Sequence, residues 1–400
     1  MADVLPRVWP LYGAAATMSV GFSAIASSAP VIQHAQGVSD RGLSLAGALA
    51  SAGAIVGAFV VGTRPVSRRT LVLGLLTLVG TALLGGAIVA NDTVLAPWWR
   101  VADGVALGAC LVACETLLLF TVDAPRRARA LAIYSLSTAI GWAVGPWVSS
   151  SLVGMAPAGA WPFFLAAVAG GAATATLLVG APARTALVPP TMATNTPGTP
   201  DTTTVSFITV WRRNLVPCFT TLHFGAFQAT LLVVFPLHLL QAGAGANAAV
   251  SVVGAFAAGA CLFTLPNAWL GQRLPTVVVM AGLCVVGGIA VAGVGVLPLV
   301  GPQGTVIRTG LAFVVGGTLA TLSPLSLLIQ VNTNSQALLP RANALYNAHY
   351  AVGMLLGPLL LLLLIGHTDT AVVVMTMGCL WVVHAAFVLL FAPPTVTEST

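Results

Sequence analysis

Two stretches of this chain, RALAIYSLSTAIGWAVGP at residues 129–146 and RANALYNAHYAVGMLLGP at residues 341–358, share one pattern. In each, an arginine is followed by Tyr, Gly, Gly and Pro at the same intervals, so that corresponding residues lie 212 positions apart. Upstream of them, Arg100 and Gly108 match Arg308 and Gly316 at an offset of 208. Five matches at one offset, supported by a second set nearby, indicate an internal parallel repeat.

The chain around these stretches is strongly apolar, with 58% hydrophobic and 6% charged residues, against about 25% charged residues in a soluble domain. A soluble surface of this composition would aggregate, whereas lipid suits it. A membrane helix needs about 20 apolar residues, and long continuous runs are not typical of a β-barrel. Twelve runs qualify: 9–32, 42–62, 70–90, 97–121, 130–153, 161–180, 214–240, 246–271, 276–298, 306–330, 342–366 and 371–392.

We therefore predict an all-α membrane protein with twelve transmembrane helices in two pseudo-symmetric six-helix bundles. The Thr- and Pro-rich residues 183–208 lack apolar periodicity and are typical of a flexible linker. This linker separates an N-terminal bundle, residues 1–182, from a C-terminal bundle, residues 209–400. Two parallel halves with a substrate site between them near the bilayer midplane are a common transporter plan.

The arginines predict how the chain is oriented, because cytoplasmic loops carry an excess of positive charge. All fifteen basic residues are arginine, and twelve lie on one side if the N-terminus is cytoplasmic. Arg41, Arg100 and Arg308 are then left on or near the outer side. We predict a multi-pass protein of the cell membrane with both termini in the cytoplasm.

Several other functions find no support in the sequence. The arginines are dispersed between apolar runs, so their excess does not indicate nucleic-acid binding. No phosphate-binding Gly-rich loop ending in Gly-Lys-Ser/Thr and no His-Glu-x-x-His element is present. We expect a protein that is not an enzyme and that uses neither a cofactor nor a metal.

The chain resembles the major facilitator superfamily. Arg100-Val-Ala-Asp103-Gly104 is similar to its Arg-x-x-Gln-Gly element, with Asp103 in place of Gln. The run from Gly141 to Pro146 is similar to the Gly-x-x-x-Gly-Pro antiporter element of twelve-helix drug/proton antiporters. The resemblance implies secondary transport of a small molecule by a protein that usually works as a monomer.

Charges inside apolar segments are costly, by about 2.5–3.5 kcal/mol on insertion scales, and are candidates for function. Arg100 and Asp103 share a helix face and can pair, either as a proton-sensitive pair or as a structural pair near the membrane surface. Glu115 is either a proton carrier or a gate residue that pairs with Arg126 or Arg127. Asp103, Arg100 and Glu115 are therefore our proton-coupling candidates.

Six further residues are candidates for the wall of a substrate cavity. Arg308 occupies the place in segment ten that Arg100 has in segment four; it either contacts substrate or anchors the helix at the interface. Polar residues within apolar helices either line a cavity or hydrogen-bond to neighbouring helices. The other five candidates are His223, Gln228, Tyr346, Asn347 and His349.

Small residues at intervals of four let helices approach closely, and proline permits a bend. Both features suit helices that move between two states, although static packing would use them too. The conformational candidates are Gly141, Gly145, Pro146, Gly353, Gly357 and Pro358.

The sequence thus predicts a secondary transporter of a small, amphipathic or hydrophobic organic compound, working by alternating access and driven by protons in the direction of efflux. A nutrient or metabolite importer is the alternative, because one fold serves both directions. A membrane sensor or assembly factor without transport activity is a further alternative. The expected partners are the substrate, protons and the lipid bilayer.

Overall fold

A computed structural model describes residues 5–35, 38, 40–64, 66–91, 95–123, 126–153, 160–180, 205–241, 246–297, 301–335, 338–364 and 369–392. Within these ranges the chain is helical and contains no strand. The helices are α1 (Leu5–Ala35), α2 (Asp40–Gly62), α3 (Arg68–Asn91), α4 (Ala96–Thr121), α5 (Arg127–Val153), α6 (Trp161–Gly180), α7 (Phe207–Arg213), α8 (Leu215–Gln241), α9 (Ala246–Arg273), α10 (Thr276–Val296), α11 (Gly301–Thr318), α12 (Leu322–Thr333), α13 (Leu339–Leu364) and α14 (Thr370–Leu390).

Apart from α7, and with α11 and α12 sharing one run, these helices correspond to the twelve predicted apolar runs. In the described part of the chain, nine spans are long and apolar enough to cross a membrane, one of them running through α11 and α12. The helices α8, α9 and α13 are also long enough, with 27, 28 and 26 residues at about 1.5 Å each. Large apolar side chains such as Trp147 and Val179 point outward, as lipid-facing residues should.

The tenth span is the one that the sequence describes incompletely. A continuous run was predicted over 306–330, but a 3₁₀ turn at Leu319–Thr321 divides it into α11 and α12. Pro324 lacks the N–H that would bind the carbonyl of Ala320, which is reason enough for the regular helix to stop there. Asn267 of α9 donates to the carbonyl of Gly317 and to the Thr321 hydroxyl, both at 2.8 Å, and thereby supports the interrupted backbone.

The repeat is visible in how the helices pack. In the first half, a Cβ on Gly141 or Gly145 of α5 would overlap the α1 carbonyls of Ala16 or Val20. In the second half, their counterparts in α13 would overlap α8 carbonyls that lie 206 positions after those of α1; these pairs are Gly353 with Leu222 and Gly357 with Ala226. The two halves therefore use the same glycine contacts in the same register.

The helices α2 and α4 repeat their contact in the same way. A Cβ on Gly57 would overlap the carbonyl of Val105, and one on Gly259 would overlap that of Phe313, so that α9 and α11 copy the first-half pair. The same offsets, 202 for α2 and 208 for α4, also relate the contact of Gly108 with the carbonyl of Ala54 to that of Gly316 with the carbonyl of Phe256. The predicted pseudo-symmetry is thus a property of the packed structure.

The two halves meet along α2 with α13, α5 with α9, α4 with α13 and α5 with α12. A Cβ on Gly62, at the end of α2, would overlap the side chain of Ala344 in α13. This contact lies at the face predicted to be cytoplasmic, so the halves are closed against each other there.

Residues 183–204 of the predicted linker lie outside the described residues, and Phe207 and Ile208 already belong to the short helix α7. The proposed boundaries of the two bundles stay a prediction.

Candidate functional site

A cavity of about 170 Å³ lies between the two halves. Its wall contains aromatic side chains from both halves, including Phe22, Trp142, Phe224 and Tyr350. The polar residues in the wall are Ser19, Glu115, Tyr134, Ser135, Thr138, Thr221, Gln228, Ser323, Tyr346, Asn347 and Tyr350. A mostly apolar wall with a few convergent polar groups is the usual form of a small-molecule site.

Glu115 is the one acid among the described residues of this wall. It is 5% exposed, and its Oε2 accepts a hydrogen bond of 2.7 Å from Nδ2 of Asn347 in α13. The sequence suggested Arg126 or Arg127 as partners. In the structure Arg126 pairs weakly with Asp123 at 3.9 Å, and Arg127 donates to the carbonyl of Val122. Glu115 is therefore bound to the opposite half of the molecule rather than to the arginine-rich loop.

A second asparagine strengthens the same contact between α4 and α13. Nδ2 of Asn343 lies 3.2 Å from the Thr116 hydroxyl and 3.4 Å from the carbonyl of Val112. Asn343 and Asn347 are one helical turn apart, so both reach across to α4 from one face of α13. These bonds close the cavity on the side of Glu115 that faces the predicted cytoplasm.

A second cavity of about 160 Å³ adjoins the first and shares five wall residues with it, among them Phe22, Asn347 and Tyr350. Arg100 lies in its wall. The guanidinium of Arg100 forms a 2.7 Å ion pair with Asp103, as their spacing on one helix face predicts. It also lies over the ring of the neighbouring Trp99. Fifteen residues separate Arg100 from Glu115, about 22 Å along α4.

Two other predicted cavity residues, Gln228 and Tyr346, also line the first cavity. Oε1 of Gln228 accepts a 2.6 Å hydrogen bond from the hydroxyl of Tyr350. The hydroxyl of Tyr346 donates to Oγ of Ser323 at 2.9 Å. Together with Glu115 and Asn347, four of the predicted site residues thus face one space between the halves.

Three predicted residues lie away from the walls of these two cavities. His223 packs against Trp381 and His384 between α8 and α14, with ring centroids 4.2 and 5.0 Å apart. His349 uses both ring nitrogens, because Nδ1 lies 2.7 Å from the Leu345 carbonyl and Nε2 accepts from the Trp211 indole at 3.1 Å. Arg308 is buried in α11 at the position equivalent to Arg100.

The predicted conformational glycines lie at close helix contacts, α5 with α1 in the first half and α13 with α8 in the second. Gly141 and Gly145 let α5 contact α1, and the carbonyl of Gly141 accepts a hydrogen bond from Ser23 at 3.1 Å. Pro146 lies inside α5. Position 358 lies within α13, but the side chain of Pro358 lies outside the described residues.

Tyr134, Trp142 and Ser323 are site residues that the sequence analysis did not single out. Each lines the first cavity, but an aromatic or small polar residue in an apolar helix gives no signal of its own. In the sequence, Tyr134 is distinguished only by its match to Tyr346 in the repeat. The equivalence of the halves was the signal that points from the polar patch of α13 to the wall of α5.

Together these features define a class of protein. A duplicated bundle of membrane helices, with a small-molecule cavity between its halves and a carboxyl group in the cavity wall, is the architecture of a secondary transporter. In the part of the chain that the structure describes, no group of three or more His, Cys, Asp or Glu residues is placed to hold a metal ion.

The chain belongs to the major facilitator superfamily, whose sequence model matches residues 11–338. It is thus a multi-pass membrane protein from a family of transporters rather than enzymes. The proton:xylose symporter XylE bound to 6-bromo-6-deoxy-D-glucose superposes with a TM-score of 0.74 at 13% identity, covering 98% of this chain and 96% of XylE. The human organic anion transporter MFSD10 (TETRAN) gives 0.69 at 13% identity, covering 97% of this chain and 100% of MFSD10. No curated protein sequence matches the chain.

Proposed function

We propose that this protein is a proton-coupled transporter that exports a small amphipathic or hydrophobic organic compound by alternating access. The observation that carries the proposal is the position of Glu115. Its carboxyl group lies in the wall of the central cavity and is bound to Asn347 of the opposite half at 2.7 Å. The Glu115 carboxyl group thus lines the substrate cavity and also takes part in the contact between the halves that must break when they rock.

The coupling follows from the cost of a charge in a low-dielectric site. A carboxylate facing an empty apolar cavity is expensive, and either a proton or a cationic or hydrogen-bond-donating substrate reduces that cost. Proton and substrate therefore compete for Glu115. A proton entering from outside would displace the cargo from Glu115, and cargo binding from the cytoplasm would release the proton. The result is an exchange of protons for cargo across the membrane.

Glu115 suits this role better than Asp103. Asp103 is 2% exposed and already neutralised by Arg100 at 2.7 Å within the same helix. Moving the halves does not separate two residues of α4, so the pair gives the proton little influence on the conformation. We assign Arg100 and Asp103 to the framework of the second cavity wall.

The cargo is inferred from the walls. The aromatic side chains of Phe22, Trp142, Phe224 and Tyr350 offer flat apolar surface, while Glu115 offers one acceptor. An aromatic or aliphatic body with one positively charged or hydrogen-bond-donating group fits this arrangement. The Gly141–Pro146 element, similar to that of drug/proton antiporters, supports export.

The distribution of the arginines bears on the orientation of the protein in the membrane. Their bias supports an orientation with both termini in the cytoplasm and the Glu115 side of the cavity towards it. We propose a monomer in the cell membrane, since the cavity is complete within one chain.

The test is transport by purified protein in liposomes, with tetraphenylphosphonium as an amphipathic cationic probe. An imposed pH gradient should drive accumulation by the natural protein, and Glu115→Gln should abolish it because an amide binds no proton at neutral pH. Asp103→Asn is the matched control and should retain pH-driven transport in the fraction that folds.

Gradient-driven transport that survives in Glu115→Gln and disappears in Asp103→Asn would overturn the assignment. Accumulation with the sign of proton symport would replace the exporter with the importer. If the natural protein moves no probe from a panel of amphipathic cations and neutral compounds, the proposed cargo class is wrong.

A further inference from the structure

Tyr134 of α5 has a buried hydroxyl group that makes no hydrogen bond in the described structure. The residue is 3% exposed and lines the same cavity as Glu115. The Glu115 carboxyl group also acts electrostatically on this hydroxyl. Leaving a hydroxyl unpaired in the interior costs about 1–3 kcal/mol, so such a group calls for an explanation.

The internal repeat provides one. Tyr134 corresponds to Tyr346 at the offset of 212, and Glu115 corresponds to Ser323 at the offset of 208. In the second half the hydrogen bond between these two positions is made, because the Tyr346 hydroxyl donates to Ser323 at 2.9 Å. The glycine contacts of α1 with α5 and of α2 with α4 recur in the second half at one offset for each helix. This repeated packing supports an equivalent bond between Tyr134 and Glu115 in the first half.

In the present conformation a competing contact replaces that bond. Oε2 of Glu115 accepts from Asn347, which belongs to the other half. When the halves separate at the predicted cytoplasmic face, α13 moves away from α4 and this partner is lost. Tyr134 stays, because α5 and α4 belong to the same half.

We propose that Tyr134 is a positioning residue that takes over the Glu115 carboxyl group when the halves separate, so that Glu115 exchanges a partner across the interface for one within its own half. The coupling role of this exchange rests on the proposed function of Glu115, whereas the contact itself does not. A tyrosine hydroxyl both donates and accepts, so it binds the carboxylate and the protonated carboxyl group alike. The exchange stabilises the conformation open to the predicted cytoplasm whether or not Glu115 is protonated.

The experiment measures the two conformations directly and needs no substrate. Spin labels on a keto-bearing unnatural amino acid at positions 64 and 272, exposed in opposite halves near that face, report the separation by pulsed electron resonance in nanodiscs. This chemistry avoids the native cysteines. Tyr134→Phe should reduce the ratio of open to closed molecules by about threefold to tenfold, the equivalent of one lost hydrogen bond.

A double-mutant cycle shows whether Tyr134 acts through Glu115. In the Glu115→Met background, Tyr134→Phe should leave the ratio unchanged, and Glu115→Ala serves as a second background if Met impairs folding. Tyr350→Phe is the matched control, since it breaks a tyrosine bond within one half, to Gln228, and should have the same effect whether or not Glu115 is present.

An unchanged ratio in Tyr134→Phe, or an equal change with and without Glu115, would overturn the exchange. That outcome is independent of the transport test. Glu115 can be the proton site without Tyr134, and the partner exchange can exist in a protein whose Glu115→Gln variant still responds to the pH gradient.

Discussion

At the scale of single residues, sequence reasoning found the groups whose presence in lipid is costly. Glu115 is conspicuous as an acid inside an apolar run, and Asn347 and Tyr346 belong to a polar patch in α13. All three line the cavity. His223 and His349 give the same sequence signal but pack elsewhere, because helix rotation and the contacts of Trp211 and Trp381 are tertiary facts. Their functional roles stay predictions.

The ion pair in α4 gives a prediction about stability at this scale. Asp103→Asn leaves the buried guanidinium of Arg100 without its counter-ion, and breaking a buried pair costs about 3–5 kcal/mol. We expect a lower midpoint of thermal unfolding in detergent. The double variant Arg100→Gln with Asp103→Asn should recover much of the loss, because it removes both charges. A single variant as stable as the natural protein would show that Arg100 has another strong partner.

At the scale of helices, the sequence predicted the spans well, because about 20 apolar residues in a row leave few alternatives. It did not predict the division of the tenth span or the short helix α7. Pro324 was available as a signal, but proline is tolerated in membrane helices when neighbours bind the freed carbonyls. Here Asn267 supports the interrupted stretch by binding the Gly317 carbonyl and the Thr321 hydroxyl. It lies at least fifty residues earlier in the chain and is brought there only by folding.

The glycine contacts give a prediction for α13. Gly353→Ala places a methyl group against the Leu222 carbonyl of α8, and overpacking of this kind costs about 1–3 kcal/mol. Gly310→Ala in α11 is the matched control, because nothing lies within 4 Å of its added Cβ. We expect the midpoint temperature of unfolding in detergent to fall for Gly353→Ala and to stay equal or rise slightly for Gly310→Ala. Equal midpoints would show that α8 and α13 can move apart to make room for the methyl group without loss of stability.

At the scale of the whole molecule, the sequence predicted two equivalent halves but not how they meet. Residue offsets reveal which helices correspond, and the contact of α5 with α12 is the counterpart of that of α4 with α13, but the side chains at the two contacts differ. Asn343 corresponds to Leu131, so the polar bridge is present on one side only. Such an asymmetric contact can be seen only once the halves are assembled.

The closed face gives a prediction about the transport cycle. Asn343 and Thr116 lie within hydrogen-bonding distance across the interface at 3.2 Å. Replacing both with cysteine and oxidising the pair should stop transport of the amphipathic probe, and a reductant should restore it. Either single cysteine variant is the control and should be insensitive to the oxidant. Uninterrupted transport through a fully cross-linked protein would show that these helices need not part.

The interrupted tenth span has a consequence for the mechanics of the cycle. The fourth span, its relative in the first half, is one unbroken rod of 26 residues, whereas the tenth has a joint at Leu319–Thr321. A rod transmits torque along its full length, but a jointed element yields at the joint and lets its two segments tilt separately. The two equivalent spans therefore differ in stiffness. We expect the conformational step that bends the second bundle to meet less mechanical resistance than the step that tilts the first.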